Sequence, residues 1–98
     1  MGCWRDTSER AIPTLEGTLP ILSDYYRNRT DPIEKCANAA ESLGFKVFAL
    51  QHGGWCSSAA NAIDTYDIYG PSTDCLSDGE GGGWANQVYQ FKSGKQSR

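Results

Sequence analysis

Four widely separated cysteines constrain the fold of this 98-residue chain more than any other feature: Cys3, Cys36, Cys56 and Cys75. The sequence contains no CxxC pair and a single histidine, His52, so two disulfides explain the cysteines better than a zinc site does. A chain this short buries only a modest core, and covalent cross-links compensate for that. Because disulfides persist in oxidising compartments, we expect a secreted or extracellular domain.

Residues 31–43 carry the signals of the main helix. Asp31 is a predicted amino-terminal cap, Pro32 suits the first helical position, and the carboxylate of Glu34 is spaced to reach back to a free amide. Gly44 predicts the end of the helix. Apolar residues recur at spacings of three and four and therefore share one helix face: Ile33, Cys36, Ala37, Ala40 and Leu43.

Residues 45–50 form the most apolar and β-prone run of the sequence and predict the central strand. Gly53 and Gly54 follow it and permit the tight reversal that a hairpin requires. The apolar face of the helix should pack on this strand. We therefore expect Cys36 and Cys56 to approach each other across one small core.

The remaining predicted elements are shorter. In chain order they are a first strand at 2–5, an ordered but irregular segment at 14–30, a second short helix at about 58–68 and a last strand at 85–91. Ser57 or Ser58 is the predicted cap of the second helix. The fold class is α+β, with one main helix packed on a mainly antiparallel sheet and residues 2–91 as a single domain. The polar composition of residues 92–98 predicts a flexible C-terminal tail.

Charge and hydropathy exclude two classes of partner. The formal net charge of −3 includes no basic block, which argues against nucleic acid as the main partner. No apolar run is long enough to span a bilayer, so membrane insertion is not expected. Asn28, Arg29 and Thr30 form an N-glycosylation sequon just before the predicted helix, where a loop should be exposed, and this supports secretion.

Short motifs are distributed along residues 2–91. In order they are Gly2-Cys3-Trp4-x-Asp6, Arg10-Ala11, Glu34-x-Cys36, Gly44-Phe45, Phe48-Ala49-Leu50-Gln51-x-Gly53-Gly54-x-Cys56, Tyr69-Gly70-x-Ser72-x-x-Cys75 and Gly82-Gly83-x-Ala85-x-x-Val88-Tyr89. Their order and spacing resemble the pattern of a WSC domain. That family consists of small cysteine-rich extracellular modules linked to carbohydrate binding and cell-surface sensing.

The resemblance also bears on how the cysteines pair. A typical WSC domain has eight cysteines, whereas this chain has four. If the missing ones were lost as bonded pairs, the resemblance implies that Cys36 pairs with Cys56 and Cys3 with Cys75. The chain would then be a divergent, four-cysteine WSC-like domain, and the first of these bonds agrees with the packing of helix on strand.

Candidate ligand-binding residues occupy the loop after the central strand and the glycine-rich loop near the end. Trp55 and Trp84 each follow glycines, which leave room for a sugar ring to lie on an aromatic face. Trp4, within the first strand, is expected in the core, and Asp6 and Arg10 are further polar residues near these loops. The candidate partners for sugar hydroxyls are Gln51, His52, Asp78, Glu80 and Asn86.

Metal binding and catalysis are the competing interpretations of these loops. Asp74, Asp78 and Glu80 flank Gly79 as calcium ligands would, but their spacing is not that of an EF-hand, so we predict no cofactor and keep calcium as the less favoured alternative. The sequence has no GxSxG, HExxH, P-loop or Rossmann fingerprint. A glycosidase pair would have to come from Glu9, Glu16, Asp64, Asp67 and Glu80, and a domain this small seldom builds the necessary cleft.

The sequence therefore predicts a secreted, non-catalytic, lectin-like module that recognises extracellular or cell-surface glycans. Shallow sites bind one sugar weakly and gain avidity from repetition, so we expect a homo-oligomer or tandem copies in a larger protein. The alternative is a protein-interaction or structural module of extracellular matrix or of a surface receptor, in which the aromatic residues are buried.

Overall fold

The computed structural model of this protein describes residues 2–91, and within them the predicted α+β fold class is confirmed. The strands form one antiparallel sheet in the order β1-β4-β2-β3. The predicted tail at 92–98 lies outside the described residues. The elements are β1 (Gly2–Arg5), α1 (Pro32–Ser42), β2 (Val47–Gln51), β3 (Trp55–Ser58), α2 (Ala62–Thr65) and β4 (Ala85–Gln90), with 3-10 helices at Pro20–Leu22 and Tyr26–Asn28.

The central strand β2 is buried at every position because both faces of the sheet are covered. On one face Phe48 and Leu50 pack with α1 and with residues of the irregular segment. On the other face Val47 and Ala49 pack with the chain around Ile12 and with α2. The expectation of one small core is therefore wrong, since the strand alternates its side chains into two apolar clusters.

Helix α1 spans the predicted residues and buries Cys36, Ala39 and Ala40 against the sheet. The predicted side-chain cap is wrong: the backbone of Asp31 is left-handed, with a φ of 49°, and its carboxylate makes no capping hydrogen bond. A capping side chain needs an extended backbone at that position. The helix ends through a hydrogen bond from the amide of Leu43 to the carbonyl oxygen of Ala40.

Both disulfides implied by the resemblance are present. Cys36 pairs with Cys56, with 5.4 Å between their Cα atoms, and Cys3 pairs with Cys75, with 6.0 Å between theirs. The first bond ties α1 to β3, and the second ties β1 to the loop that precedes β4. No free cysteine remains among the described residues.

The predicted cap of the second helix is wrong as well. Ser57 and Ser58 are buried residues of β3, and the hydroxyl of Ser58 donates to the carbonyl oxygen of Val47 at 2.6 Å. Helix α2 is correspondingly shorter than predicted. A buried serine can be tolerated in a strand when its hydroxyl is hydrogen-bonded, and here tertiary pairing overrides the local helix signal.

Irregular segments cover both outer edges of the sheet. At β3 the amide of Ser58 donates to the carbonyl oxygen of Pro13, and the amide of Leu15 donates to that of Cys56. At β1 the amide of Arg5 donates to the carbonyl oxygen of Gly70. Because unpaired edge strands can add a strand from another chain, these segments close the sheet against such pairing.

Arg29 holds the irregular segment before α1 against the hairpin of β2 and β3. Its side chain is wholly buried and donates to the carbonyl oxygens of Leu22, Asp24 and Gly54. The same guanidinium pairs with the carboxylates of Glu16 and Asp24. A segment without regular periodicity is thus fixed by one satisfied buried cation.

Candidate functional site

Arg10 lies between two tryptophans at the surface. Its Cζ is 4.8 Å from the ring centroid of Trp84 and 5.5 Å from that of Trp55. The three residues come from separate parts of the fold: the segment after β1, the start of β3 and the turn before β4. A guanidinium at these distances is attracted by both aromatic rings and brings them into one cluster.

The cluster continues through two tyrosines of the segment before α1. The ring of Tyr26 meets Trp55 edge to face, with 5.0 Å between centroids, and Tyr25 follows at 5.1 Å from Tyr26. The side chains at the two ends are well exposed, Trp84 at 48% and Tyr25 at 59%. We call this succession, from Trp84 through Arg10, Trp55 and Tyr26 to Tyr25, the aromatic row.

The turn that carries Trp84 has an uncommon backbone. Trp84 has a φ of 53°, in the left-handed region that non-glycine residues seldom adopt, and its carbonyl oxygen accepts from the amide of Asp6 at 2.9 Å. His52, in the hairpin between β2 and β3, has a similar φ of 54° and is exposed. A Cβ added to Gly83 would lie 3.5 Å from the His52 ring, so the two turns are neighbours. Non-glycine residues held in this region cluster at functional sites.

A buried polar network holds Arg10 from below. Its Nη1 donates to Asp6 Oδ2 and to Gln51 Oε1, both at 3.1 Å. Gln51 Nε2 in turn donates to Asp6 Oδ2 and to Asn86 Oδ1, both at 2.8 Å. The second oxygen of Asp6 accepts from the amide of Ala11 at 2.9 Å. Both oxygens of the Asp6 carboxylate therefore accept from the interior, and the guanidinium is fixed in the row.

Gln51 and Asn86 were predicted as ligand contacts, and burial shows that interpretation to be wrong. They are 2% and 1% exposed, because they lie on the two central strands of the sheet beneath Arg10. Their role in the described structure is to position Arg10. Within residues 2–91, Asn86 Nδ2 and Trp55 Nε1 are buried without a hydrogen-bond partner.

Asp78 and Glu80 belong to a different surface. Asp78 Oδ1 accepts from the amide of Glu80 at 2.9 Å, which stabilises a tight turn. The side chain of Glu80 lines a depression beside the first turn of α1, together with Ile33 and Glu34. Burial there, and then the nearby charge of Asp78, raise the pKa of the Glu80 carboxyl. The structure does not bring these two acids into the aromatic row.

In the described part of the chain no three His, Cys, Asp or Glu side chains are grouped so that they could hold a metal ion. No helix there is long and apolar enough to cross a membrane. Asn28 of the sequon is exposed at the end of a 3-10 helix. Trp4 is half-buried and meets Tyr66 edge to face at 5.3 Å.

Sequence reasoning missed the central part of the site. Arg10 was recognised only as a polar residue near the loops, and Tyr25 and Tyr26 were recognised only as members of an irregular segment. Nothing in the local sequence of Arg10 indicates that it inserts between rings more than forty residues away, since the contact depends on the assembled sheet.

Comparison with protein families, with curated proteins and with solved structures returned no match to this chain. The fold and the site define a small disulfide-linked α+β domain with a row of aromatic side chains around one arginine. A functional proposal therefore depends on the geometry of that row.

Proposed function

We propose that this protein is a secreted, non-catalytic, lectin-like module that binds glycans along the aromatic row. The observation that carries the proposal is the position of Trp84, nearly half exposed at one end of the row and in contact with the Arg10 guanidinium. A flat aromatic face covers the axial C–H groups of a pyranose, while an adjacent donor bonds its hydroxyls. The WSC-like order of motifs supports the same class of ligand.

The angles between the rings favour an extended glycan over a single sugar. Tyr26 is nearly perpendicular to Trp55, at 86°, and Tyr25 is tilted by 58° from Tyr26. The row is therefore not one flat platform. Separate sugar residues would meet Trp84 at one end and Tyr25 at the other, with Arg10 between them.

The buried network beneath Arg10 supports recognition by a rigid site. Asp6 and Gln51 hold the guanidinium in place through three hydrogen bonds among the three side chains. A side chain that is already ordered loses less conformational entropy on binding. Less binding free energy is therefore lost in ordering Arg10, and this raises the affinity of a shallow site for its ligand.

Catalysis is not part of the proposal. Glu16, one of the carboxylates considered for glycoside hydrolysis, accepts from the Arg29 guanidinium through both oxygens and from the amide of Cys56 at 2.7 Å. A carboxylate with these three hydrogen bonds stabilises the fold and is not free to act on a substrate.

Secretion is supported by the two disulfides and by the exposed sequon at Asn28. Secretion from eukaryotic cells should therefore yield protein with a glycan at Asn28. The expected result is a mass that falls on treatment with an N-glycosidase, while the Asn28→Gln variant has the lower mass from the start. Secreted wild-type protein of unmodified mass would contradict this part of the proposal.

A glycan array tests the proposed function. The protein should be displayed as biotinylated tetramers on streptavidin, because single shallow sites bind weakly and repetition raises avidity. We expect retention of at least one class of glycan and a change in tryptophan fluorescence when that glycan is titrated in solution. Absence of retention on every glycan would overturn the proposal. A row of Tyr, Trp and Arg is also the composition of protein-interaction hot spots, which would then be the better assignment.

A further inference from the structure

Arg10 has hydrogen-bonding capacity that the fold does not use. The bonds it makes to Asp6 and Gln51 both run through Nη1. Within residues 2–91 its Nε and Nη2 have no acceptor, although a guanidinium carries five N–H donors. Its side chain is 30% exposed, between two rings that are themselves at the surface. The fold thus presents a fixed, partly open guanidinium to a ligand on the row.

We propose that Arg10 makes the aromatic row selective for anionic glycans, binding the carboxylate of a uronic acid residue through Nε and Nη2. The inference rests on the proposed function, because it names the ligand class of the same site. A planar guanidinium matches a carboxylate with two parallel hydrogen bonds, and charge-assisted bonds of this kind are stronger than those to a neutral hydroxyl.

The surroundings of Arg10 keep this donor edge available. Both oxygens of Asp6 are occupied from the interior, by Ala11, Gln51 and Arg10 Nη1. The Asp6 side chain is itself almost wholly buried. Asp6 therefore holds Nη1 of the guanidinium and does not compete with a ligand for Nε and Nη2.

The net charge of the chain makes the selectivity a local effect. With a formal charge of −3, the protein as a whole does not attract anions. Preference for an acidic glycan must come from direct hydrogen bonds between the guanidinium and the carboxylate. A substitution that keeps the positive charge but removes the planar fork should therefore reduce the preference.

The test compares acidic oligosaccharides with their methyl esters, which have the same length but no charge. Oligogalacturonates and hyaluronan oligosaccharides supply two different uronic acids. Binding is measured by calorimetry for the wild type, Arg10→Lys and Arg10→Gln, with Arg5→Gln as the matched control, since Arg5 is an exposed arginine of β1 that donates to the carbonyl oxygen of Pro71 and is not a member of the aromatic row. Near-ultraviolet circular dichroism reports whether each variant is folded.

We expect the wild type and the Arg5→Gln variant to bind at least one acidic form about tenfold more tightly than its ester. The preference should fall in Arg10→Lys and disappear in a folded Arg10→Gln. Equal binding of acid and ester by the wild type, or a preference that survives Arg10→Gln, would overturn the inference. If Arg10→Gln does not fold, the inference is tested by comparing the ratio of acid affinity to ester affinity in the wild type with the same ratio in Arg10→Lys.

The outcome of the glycan array separates this inference from the proposed function. Retention of neutral glycans without retention of any uronic acid glycan would overturn the role of Arg10 and leave the lectin-like function standing. Absence of retention on every glycan, acidic or neutral, would overturn both.

Discussion

The Arg29 guanidinium donates to both oxygens of Glu16, from Nη1 at 2.8 Å and from Nη2 at 2.9 Å. The Arg29 side chain is wholly buried, and the hydrogen bonds to Glu16 are the largest cause that raises its pKa above the usual value. Glu16 also accepts from the amide of Cys56 in β3. This pair therefore joins the irregular segment to the edge strand β3, at the residue that follows Trp55 of the aromatic row.

Replacing Arg29 by alanine should strongly destabilise the fold. The change removes the guanidinium from Glu16, which keeps only the amide of Cys56, and leaves the carbonyl oxygens of Leu22 and Gly54 without their donor. Breaking a buried ion pair in this way costs about 3–5 kcal/mol. Denaturant unfolding measures the loss. The control is Arg27→Ala, an exposed residue that should change stability by less than about 0.5 kcal/mol. Equal stability of the two variants would contradict the role assigned to Arg29.

Gly54 should not tolerate a side chain. A Cβ at this position would lie 2.5 Å from the carbonyl oxygen of Tyr26 and 3.1 Å from the Cβ of Arg29. Gly54→Ala should therefore cost about 1–3 kcal/mol through overpacking of the segment against the hairpin. Gly83→Ala is the matched control, since its Cβ would make only an ordinary contact with His52 at 3.5 Å. A Gly54→Ala variant as stable as Gly83→Ala would refute this packing.

The two disulfides should account for much of the stability. They close sequence separations of 20 and 72 residues, which corresponds to about 3 and about 4 kcal/mol in the chain-entropy model. Their sum is comparable to the whole margin of a small domain, so reduction should unfold the protein. A chelator alone should leave the near-ultraviolet circular dichroism unchanged. Loss of that signal on adding EDTA would instead indicate a structural metal.

Local signals were enough to predict α1, β2 and the hairpin turn at Gly53. They failed at β3, because Ser57 and Ser58 resemble a helix cap in sequence and become strand residues only through pairing with β2 and with the chain near Pro13. The aromatic row depends on contacts between distant segments, which no local pattern encodes. The approach of Cys36 to Cys56 was predicted from the packing of the helix on the strand, whereas the pairing of Cys3 with Cys75 was predicted only with the help of the WSC resemblance.

The acid dependence of stability should involve Asp24. Hydrogen bonds from Lys35, and then from Arg29, lower the pKa of its carboxyl. The unfolded chain has an Asp pKa of about 3.9, and a carboxyl with a lower pKa in the folded state stabilises the fold at every pH above that. This stabilisation is lost as the pH falls through the pKa of the folded state. Thermal midpoints of the wild type and Asp24→Asn should therefore differ at about pH 6 and converge below about pH 4.

Glu80 affects stability with the opposite pH dependence. Because its pKa is raised in the folded state, its contribution to the free energy of unfolding falls as the pH rises. It is the same residue in the wild type and in Asp24→Asn, so its effect cancels when the two are compared. A difference between their midpoints that stays constant from pH 6 to pH 3 would show that the ionised form of Asp24 does not stabilise the fold.

Trp84→Ala tests the central claim most directly, since Trp84 is the exposed end of the aromatic row that contacts the Arg10 guanidinium. Ile68→Ala is the control, because Ile68 is a similarly exposed large apolar residue that follows α2. Biolayer interferometry on the best glycan from the array, with thermal midpoints in parallel, gives both binding and folding. We predict that Trp84→Ala loses at least about tenfold in affinity with a nearly unchanged midpoint, while Ile68→Ala binds as the wild type does. A folded Trp84→Ala variant with wild-type affinity would contradict glycan recognition at the aromatic row.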